Sequence, residues 1–211
     1  MLNRWRGGGN LELFFNVIVV LKTLFLLGVI AVSVLEVVDT LGKKFPGFLL
    51  YTNLMVTEEK LSYWSGSRNG LKSFDQVVAV DGKPVYTSQA VYDIASGKPL
   101  GTAVDYTVKR GDKLLHLRVP TIEFTPLDFV RLFGPTAVMG IIFFSIGLIV
   151  YCLRPSKIQS KVLFLFCYFV ALWFLSIFDS HLGYKLNIES WIWLFIPPLF
   201  AALGLVFPKE N

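Results

Sequence analysis

The chain has 211 residues, 54% of them hydrophobic, with 19 Phe and a formal net charge of +5, and its mean hydropathy is +0.60. Soluble domains carry roughly 45–50% apolar residues, so this composition excludes an ordinary soluble protein and makes the lipid bilayer the first expected partner. The charge is spread with no basic stripe interleaved with aromatics, which gives no nucleic-acid signal. The two cysteines, Cys152 and Cys167, both fall in apolar runs as small fillers, so neither a disulfide framework nor a metal site is indicated.

Residues 1–12 read as a cytoplasmic leader containing Arg4, Arg6 and the flexible Gly7-Gly8-Gly9. Residues 13–38 form the first run long enough to cross a hydrocarbon core, which takes about 20 apolar residues in a helix. A secretory signal core is only ~7–15 residues, and this run continues past Val32 without a small-residue cleavage site, so it reads as a retained helix. Lys22 is its one internal charge. A lysine near the bilayer centre costs ~2.5–3.5 kcal/mol on insertion scales. Either the helix shifts so that Lys22 snorkels to the headgroups, or Lys22 is an intramembrane partner for Glu12 or a charge elsewhere.

Residues 39–132 are a polar insert, followed by apolar runs at 133–153, 162–178 and 191–207, the last interrupted by Pro197-Pro198. Cytoplasmic loops hold the excess of Lys and Arg. Arg154, Lys157 and Lys161 fill the connection after the second run, while Asp179 to Ser190 carries no positive excess. Four spans with both termini cytoplasmic and the insert outside satisfy this distribution.

Inside the insert, Gln76-Val77-Val78-Ala79-Val80 is a β-branched run ending at Asp81-Gly82, the pattern of a buried strand and tight turn. Ala90, Val91, Ile94 and Ala95 recur at helical spacing, with Gly97 and Pro99 as stop signals. Thr102 to Arg110 and Lys113 to Val119 alternate on either side of Gly111-Asp112, a hairpin. The aromatic pair Tyr63 and Trp64, in the Ser-rich stretch Ser62 to Ser67, reads as packing beside a membrane interface.

The segment Gly70-Leu71-Lys72-Ser73-Phe74-Asp75, continuing through the Val77–Val80 run to Asp81-Gly82-Lys83-Pro84-Val85, resembles the PDZ-domain pattern G-L-x-x-G-D-x-I-x-x-V-N/D-G-x-x-V. Phe74 stands where that family usually has Gly. The resemblance covers about residues 47–122, with the strand, helix and hairpin in the family's order. Together with the four apolar runs, it implies an α+β fold class: four transmembrane α-helices with a PDZ-like small β-barrel/helix domain inserted between helices 1 and 2. PDZ domains bind an extended peptide as an added strand. By resemblance, Phe45-Pro46-Gly47-Phe48 forms a carboxylate-binding loop, Leu49, Leu50, Tyr51 and Thr52 the edge strand, and Val91, Tyr92 and Ile94 the facing wall. Pro46-Gly47 as a plain turn is the competing reading.

Catalytic motifs are wanting. Site-2 metalloproteases, which also carry PDZ domains, need H-E-x-x-H, whereas the histidines here are His116 and His181, neither followed by Glu. The nearest approach to a serine-protease signature, Ser65-Gly66-Ser67, lies in the insert, and His181 beside Asp179 and Ser180 reads as a loop residue. No catalytic residue, cofactor or metal is therefore expected. The layout is similar to the N-terminal sensory region of competence-type quorum-sensing histidine kinases and related bacterial cyclase or phosphatase receptors, which continue well beyond such a region. The resemblance implies an input module in a bacterial plasma membrane, binding an extracytoplasmic peptide or protein, with homodimerisation by analogy. A stand-alone PDZ membrane scaffold and a degenerate intramembrane-protease relative are the alternatives.

Overall fold

A computed structural model describes residues 6–178 and 189–207. In chain order the elements are α1 (Arg6–Thr40), β1 (Lys44–Phe45), α2 (Ser65–Arg68), β2 (Gln76–Val80), β3 (Lys83–Pro84), α3 (Ser88–Ser96), β4 (Ala103–Arg110), β5 (Lys113–Pro120), β6 (Ile122–Glu123), α4 (Pro126–Leu153), α5 (Ile158–Phe178), α6 (Glu189–Ile192) and α7 (Ile196–Val206). They divide into two compact units, a helical one and one comprising Leu35–Pro135.

Among the described residues, three helices are long and apolar enough to cross a membrane, at Glu12–Thr40, Pro126–Leu153 and Ile158–Ile177. The expectation of four is corrected at residues 191–207. Leu194 and Phe195 donate to the carbonyls of Trp191 and Ile192 in tight turns, and α7 starts afresh with its prolines in the first turn. A proline there forfeits only an N–H that has no intrahelical partner, whereas mid-helix it removes a bond and clashes with the preceding turn. The resulting 11-residue helix is about 17 Å long against a core of about 30 Å. The helices α4 and α5 approach closely at two glycines: a Cβ on Gly140 would lie 2.8 Å from Leu175 Cγ, and one on Gly147 2.7 Å from Cys167 Cβ. Small residues let backbones meet where lipid removes the hydrophobic drive between helices.

The other unit holds a four-stranded sheet in the order β3-β2-β4-β5 and a separate two-stranded pair, β1-β6. Among the described residues this is no closed barrel, which corrects the barrel expectation. The reason lies in residues 45–57. Gly47 turns the chain at φ +79° and Leu54 turns it again at +66°. Tyr51 N–H donates to Met55 and Thr57 N–H to Leu49, so Leu49–Tyr51 folds back on its own chain instead of running as a strand. Its one sheet-type contact is an isolated bridge, Leu50 to Val56.

Turn chemistry places the remaining strands. Asp81 and Gly82 both have positive φ, +48° and +74°, the type I′ geometry that matches strand twist between β2 and β3. Thr87 caps α3, its side chain accepting from Ala90 N–H at 3.2 Å. The buried face of the sheet (Val77, Val80, Val104, Tyr106, Val108, Val119) packs with Val91 of α3 and with Phe48, Leu50 and Val56 into one core.

The turn at Gly70–Asp75 is held by one carboxylate. Asp75, 1% exposed, accepts two bonds of 2.6 Å from Arg110 and one of 2.8 Å from Lys72 N–H, and Arg110 also donates to Gly70 O at 2.8 Å. Burial pushes the Asp75 carboxyl up, but the Arg110 and Lys72 hydrogen bonds outweigh it and hold it below the ordinary carboxylate range. A depressed carboxyl contributes stability above its unfolded pKa of about 3.9 that is lost as pH falls through the folded value. Arg110→Met, which strands a buried carboxylate, should cost about 3 kcal/mol, whereas Asp75→Asn with Arg110→Met should cost clearly less. Denaturant melts of this unit in the full chain should show that order, with wild-type stability falling as pH drops below about 4 and the double variant falling less.

Candidate functional site

Helix α3 has two faces. Ser88, Val91 and Ala95 are buried, while Gln89, Tyr92, Asp93 and Ser96 line a cavity of about 340 Å³. Across the cavity lie Lys44 and Phe45 of β1, with Glu36, Asp39 and Thr40 from the end of α1 on another side and Phe124 beside Phe45. β1 pairs with β6 on one edge, through Lys44 with Glu123 and Phe45 with Ile122, and among the described residues it has no strand on its other edge. A helix facing a one-sided strand across a cavity is the arrangement that admits an extended chain by β-augmentation.

The cavity's apolar end is built on Trp64. Phe45 meets the Trp64 ring at 4.9 Å and the Phe124 ring at 5.4 Å, both edge-on. Trp64 is fully buried, and its indole N–H donates to Asp128 Oδ1 at 3.0 Å. Tyr63 donates to the same oxygen at 2.5 Å. The other carboxylate oxygen accepts from the Thr125 N–H at 2.8 Å and the Thr125 hydroxyl at 2.6 Å, while Asp128 N–H donates to Thr125 Oγ1 at 3.2 Å. This is a reciprocal capping box, with Thr125 as N-cap and Pro126 at the first helical position of α4. Arg131, one turn on, lies over the Tyr63 ring at 5.4 Å.

The residues singled out from sequence are dispersed. Tyr92 lies at the cavity, and its hydroxyl accepts from Leu50 N–H at 2.8 Å. That bond occupies the donor an added strand would use at Leu50. Leu49, Leu50 and Val91 are fully buried, Phe48 is 2% exposed, and Phe48, Leu50 and Val91 belong to the core, against which the partly buried Ile94 packs. Tyr51 is half-buried, at the start of the turn to Leu54. Pro46 and Gly47 are buried. Gly47 O accepts from Gly66 N–H at 3.1 Å, and a Cβ at Gly47 would stand 1.9 Å from Ser65 Oγ. The loop therefore presses on α2, as a turn that only glycine fits. His181, Asp179 and Ser180 lie outside the described residues.

Sequence reasoning missed Gln89, Asp93 and Ser96 on the helix, and Lys44, Phe45 and Phe124 opposite. The signal was present, since 89, 92, 93 and 96 recur at 3 and 4 residues, which is one face of a helix.

No protein family model matches the chain, and no curated protein matches it. Similar solved structures include a serine endoprotease from Yersinia pestis, 15% identical over 39% of this chain with a TM-score of 0.35. The HtrA3 PDZ domain bound to a phage-derived ligand (FGRWV) is 19% identical over 37% of this chain and 85% of its own length, TM-score 0.34. An aminopeptidase N family protein from Idiomarina loihiensis is 23% identical over 37% of this chain and 14% of its own, TM-score 0.30. This chain spans 29% of the Yersinia protein's length.

The Tyr92 bond makes a local prediction. Removing the hydroxyl in Tyr92→Phe leaves the Leu50 amide without its acceptor, at a net cost of about 0.5–1.5 kcal/mol. Hydrogen exchange across residues 48–52 should quicken by about two- to tenfold, with the rate over β4 and β5 unchanged.

Proposed function

We propose that this chain is a membrane-held peptide-binding module, and that it serves as the input part of a signalling receptor. One observation carries the reading: a cavity of about 340 Å³ between the polar stripe of α3 and β1, a strand that among the described residues is paired on one edge only. Such a cavity falls in the range that holds small ligands, about 300–1,000 Å³. An extended peptide entering it gains main-chain bonds from a strand edge and side-chain selection from Gln89, Asp93, Ser96 and Phe45. The resemblance of residues 47–122 to PDZ domains supports the same ligand class. Residues 39–132 are then the binding domain, held outside the cytoplasmic membrane by the flanking helices.

The nine residues first assigned to the groove divide into roles under this proposal. Tyr92 is the contact residue and guards the Leu50 donor. Pro46, Gly47, Phe48, Leu49, Leu50, Tyr51, Val91 and Ile94 shape the wall behind it. Asp93, exposed on α3, favours a peptide with a basic residue where it passes the helix, whereas Asp39 is already paired with Lys43 at 2.9 Å.

Selection of displayed peptide libraries on the full chain in nanodiscs tests the function. Recovered peptides should bind saturably and weaken at least tenfold with Asp93→Arg. A library yielding no peptide sensitive to Asp93 would remove the proposal.

The orientation is tested in a variant lacking Cys152 and Cys167. An impermeant thiol reagent applied to intact cells should modify a cysteine replacing Tyr86, which is 84% exposed, and spare one replacing the exposed Ser156 in the Arg154–Lys161 connection.

A further inference from the structure

The helical unit contains a second cavity, of about 450 Å³, beside the only charged side chain among its lining residues. That side chain is Lys22. Its ammonium lies over the rings of Tyr168 and Phe169 at 4.5 and 4.7 Å, so it is turned among aromatics and makes no ion pair among the described residues. Lys22 stands about 15 Å along the helix axis from Glu12, half the thickness of a hydrocarbon core. The π faces offset part of the cost of a cation at that depth, but they neutralise no charge.

The walls of the cavity differ by position. Its floor is closed by Tyr168, Leu172 and Ile192, 2%, 4% and 2% exposed, whereas its rim is formed by Leu21, Phe25, Trp191 and Phe195, 59%, 52%, 68% and 46% exposed. An apolar rim of this kind opens to lipid rather than to water. A molecule entering from there must itself be apolar over most of its length, and the fixed cation selects one with a negative end. A phosphodiester headgroup is recognised by several donors together, and among the described residues the cavity has a single basic one. A carboxylate needs no more than one.

We propose that this cavity is a binding site for a free long-chain carboxylate of the fatty-acid class, its head paired with Lys22 and its chain lying between Phe25, Trp191 and Phe195. An intramembrane ionisable residue is rare and marks a functional site, and the volume suits a small ligand. The site uses no residue of the peptide cavity, so it stands or falls apart from the function proposed above.

The test is equilibrium binding of radiolabelled palmitate to the full chain in phosphatidylcholine nanodiscs, with methyl palmitate and phosphatidylglycerol as competitors. Palmitate should bind saturably at one per chain, and neither competitor should displace it at equal concentration. Lys22→Gln should weaken binding at least tenfold, and Lys22→Arg should restore it to within about threefold, the charge being what is read. A bromine-labelled stearate should quench wild-type tryptophan emission more than that of Trp191→Phe, a readout that needs no change at Lys22. Unsaturable binding, equal competition by methyl palmitate, displacement by phosphatidylglycerol, an unchanged affinity in Lys22→Gln, or equal quenching in Trp191→Phe would each overturn the site.

Discussion

The carboxylate of Asp128 is the point on which the sheet unit closes. It accepts from Tyr63, Trp64 and Thr125, so the start of α4, the aromatic cluster under the cavity and the chain before the helix are tied at one residue. Bonds to an ionised acceptor are roughly twice as strong as neutral ones, and at 2% exposure water does not compete for them. Remove the carboxylate and four donors on three residues lose their acceptor together, each costing about 1–3 kcal/mol if left unpaired. The cost would appear as a loosened α4 terminus and a displaced Trp64. Because Phe45 and Phe124 rest on Trp64, the apolar end of the cavity would move too.

That linkage gives the binding proposal a physical means of reporting. A ligand against Phe45 and Phe124 touches the rings that pack on Trp64, and Trp64 is hydrogen-bonded within the first turn of α4. A ligand shifts a conformational balance only by the difference in its affinity for the two states. The difference here would be set by whether Phe45 and Phe124 can accept the ligand while Trp64 keeps its bond to Asp128. Nothing longer than two aromatic contacts and one hydrogen bond is required.

Much of this architecture was legible because the turns carry their own chemistry. Asp81-Gly82 and Gly111-Asp112 mark hairpins through residues that tolerate positive φ, and the β2 run and the α3 spacing are local patterns. What was not legible depends on distant partners. The Thr125–Asp128 box is a T-x-x-D signature, but its use as an acceptor for Tyr63 and Trp64 joins residues about sixty positions apart, which no local pattern encodes. The strand expected at Leu49–Thr52 failed for a similar reason, since a β-rich segment pairs with whichever edge is available, and Met55–Thr57 was nearest. Residues 191–207 were read as a span by hydropathy, which sums apolarity and ignores that Pro197-Pro198 restart the helix.

Phe74 shows how a departure from a family pattern can be kept. It adopts φ +67° where the resembled pattern has glycine, a conformation that costs a residue with a side chain roughly 1–2 kcal/mol. Glycine would relieve that strain but loses about 0.5–1 kcal/mol of chain entropy on folding, so the substitution is nearly balanced. Phe74 is 53% exposed, and burial adds little to the account. The strained turn is held from both sides by bonds that do not depend on the residue type at 74: Phe74 N–H donates to Val56 O at 2.8 Å, and Asp75 is clamped by Arg110. The motif tolerates phenylalanine because the geometry is imposed by the Asp75–Arg110 pair. The aspartate and the arginine that answers it, at the end of the neighbouring strand β4, are therefore more informative residues of this segment than the glycine it lacks.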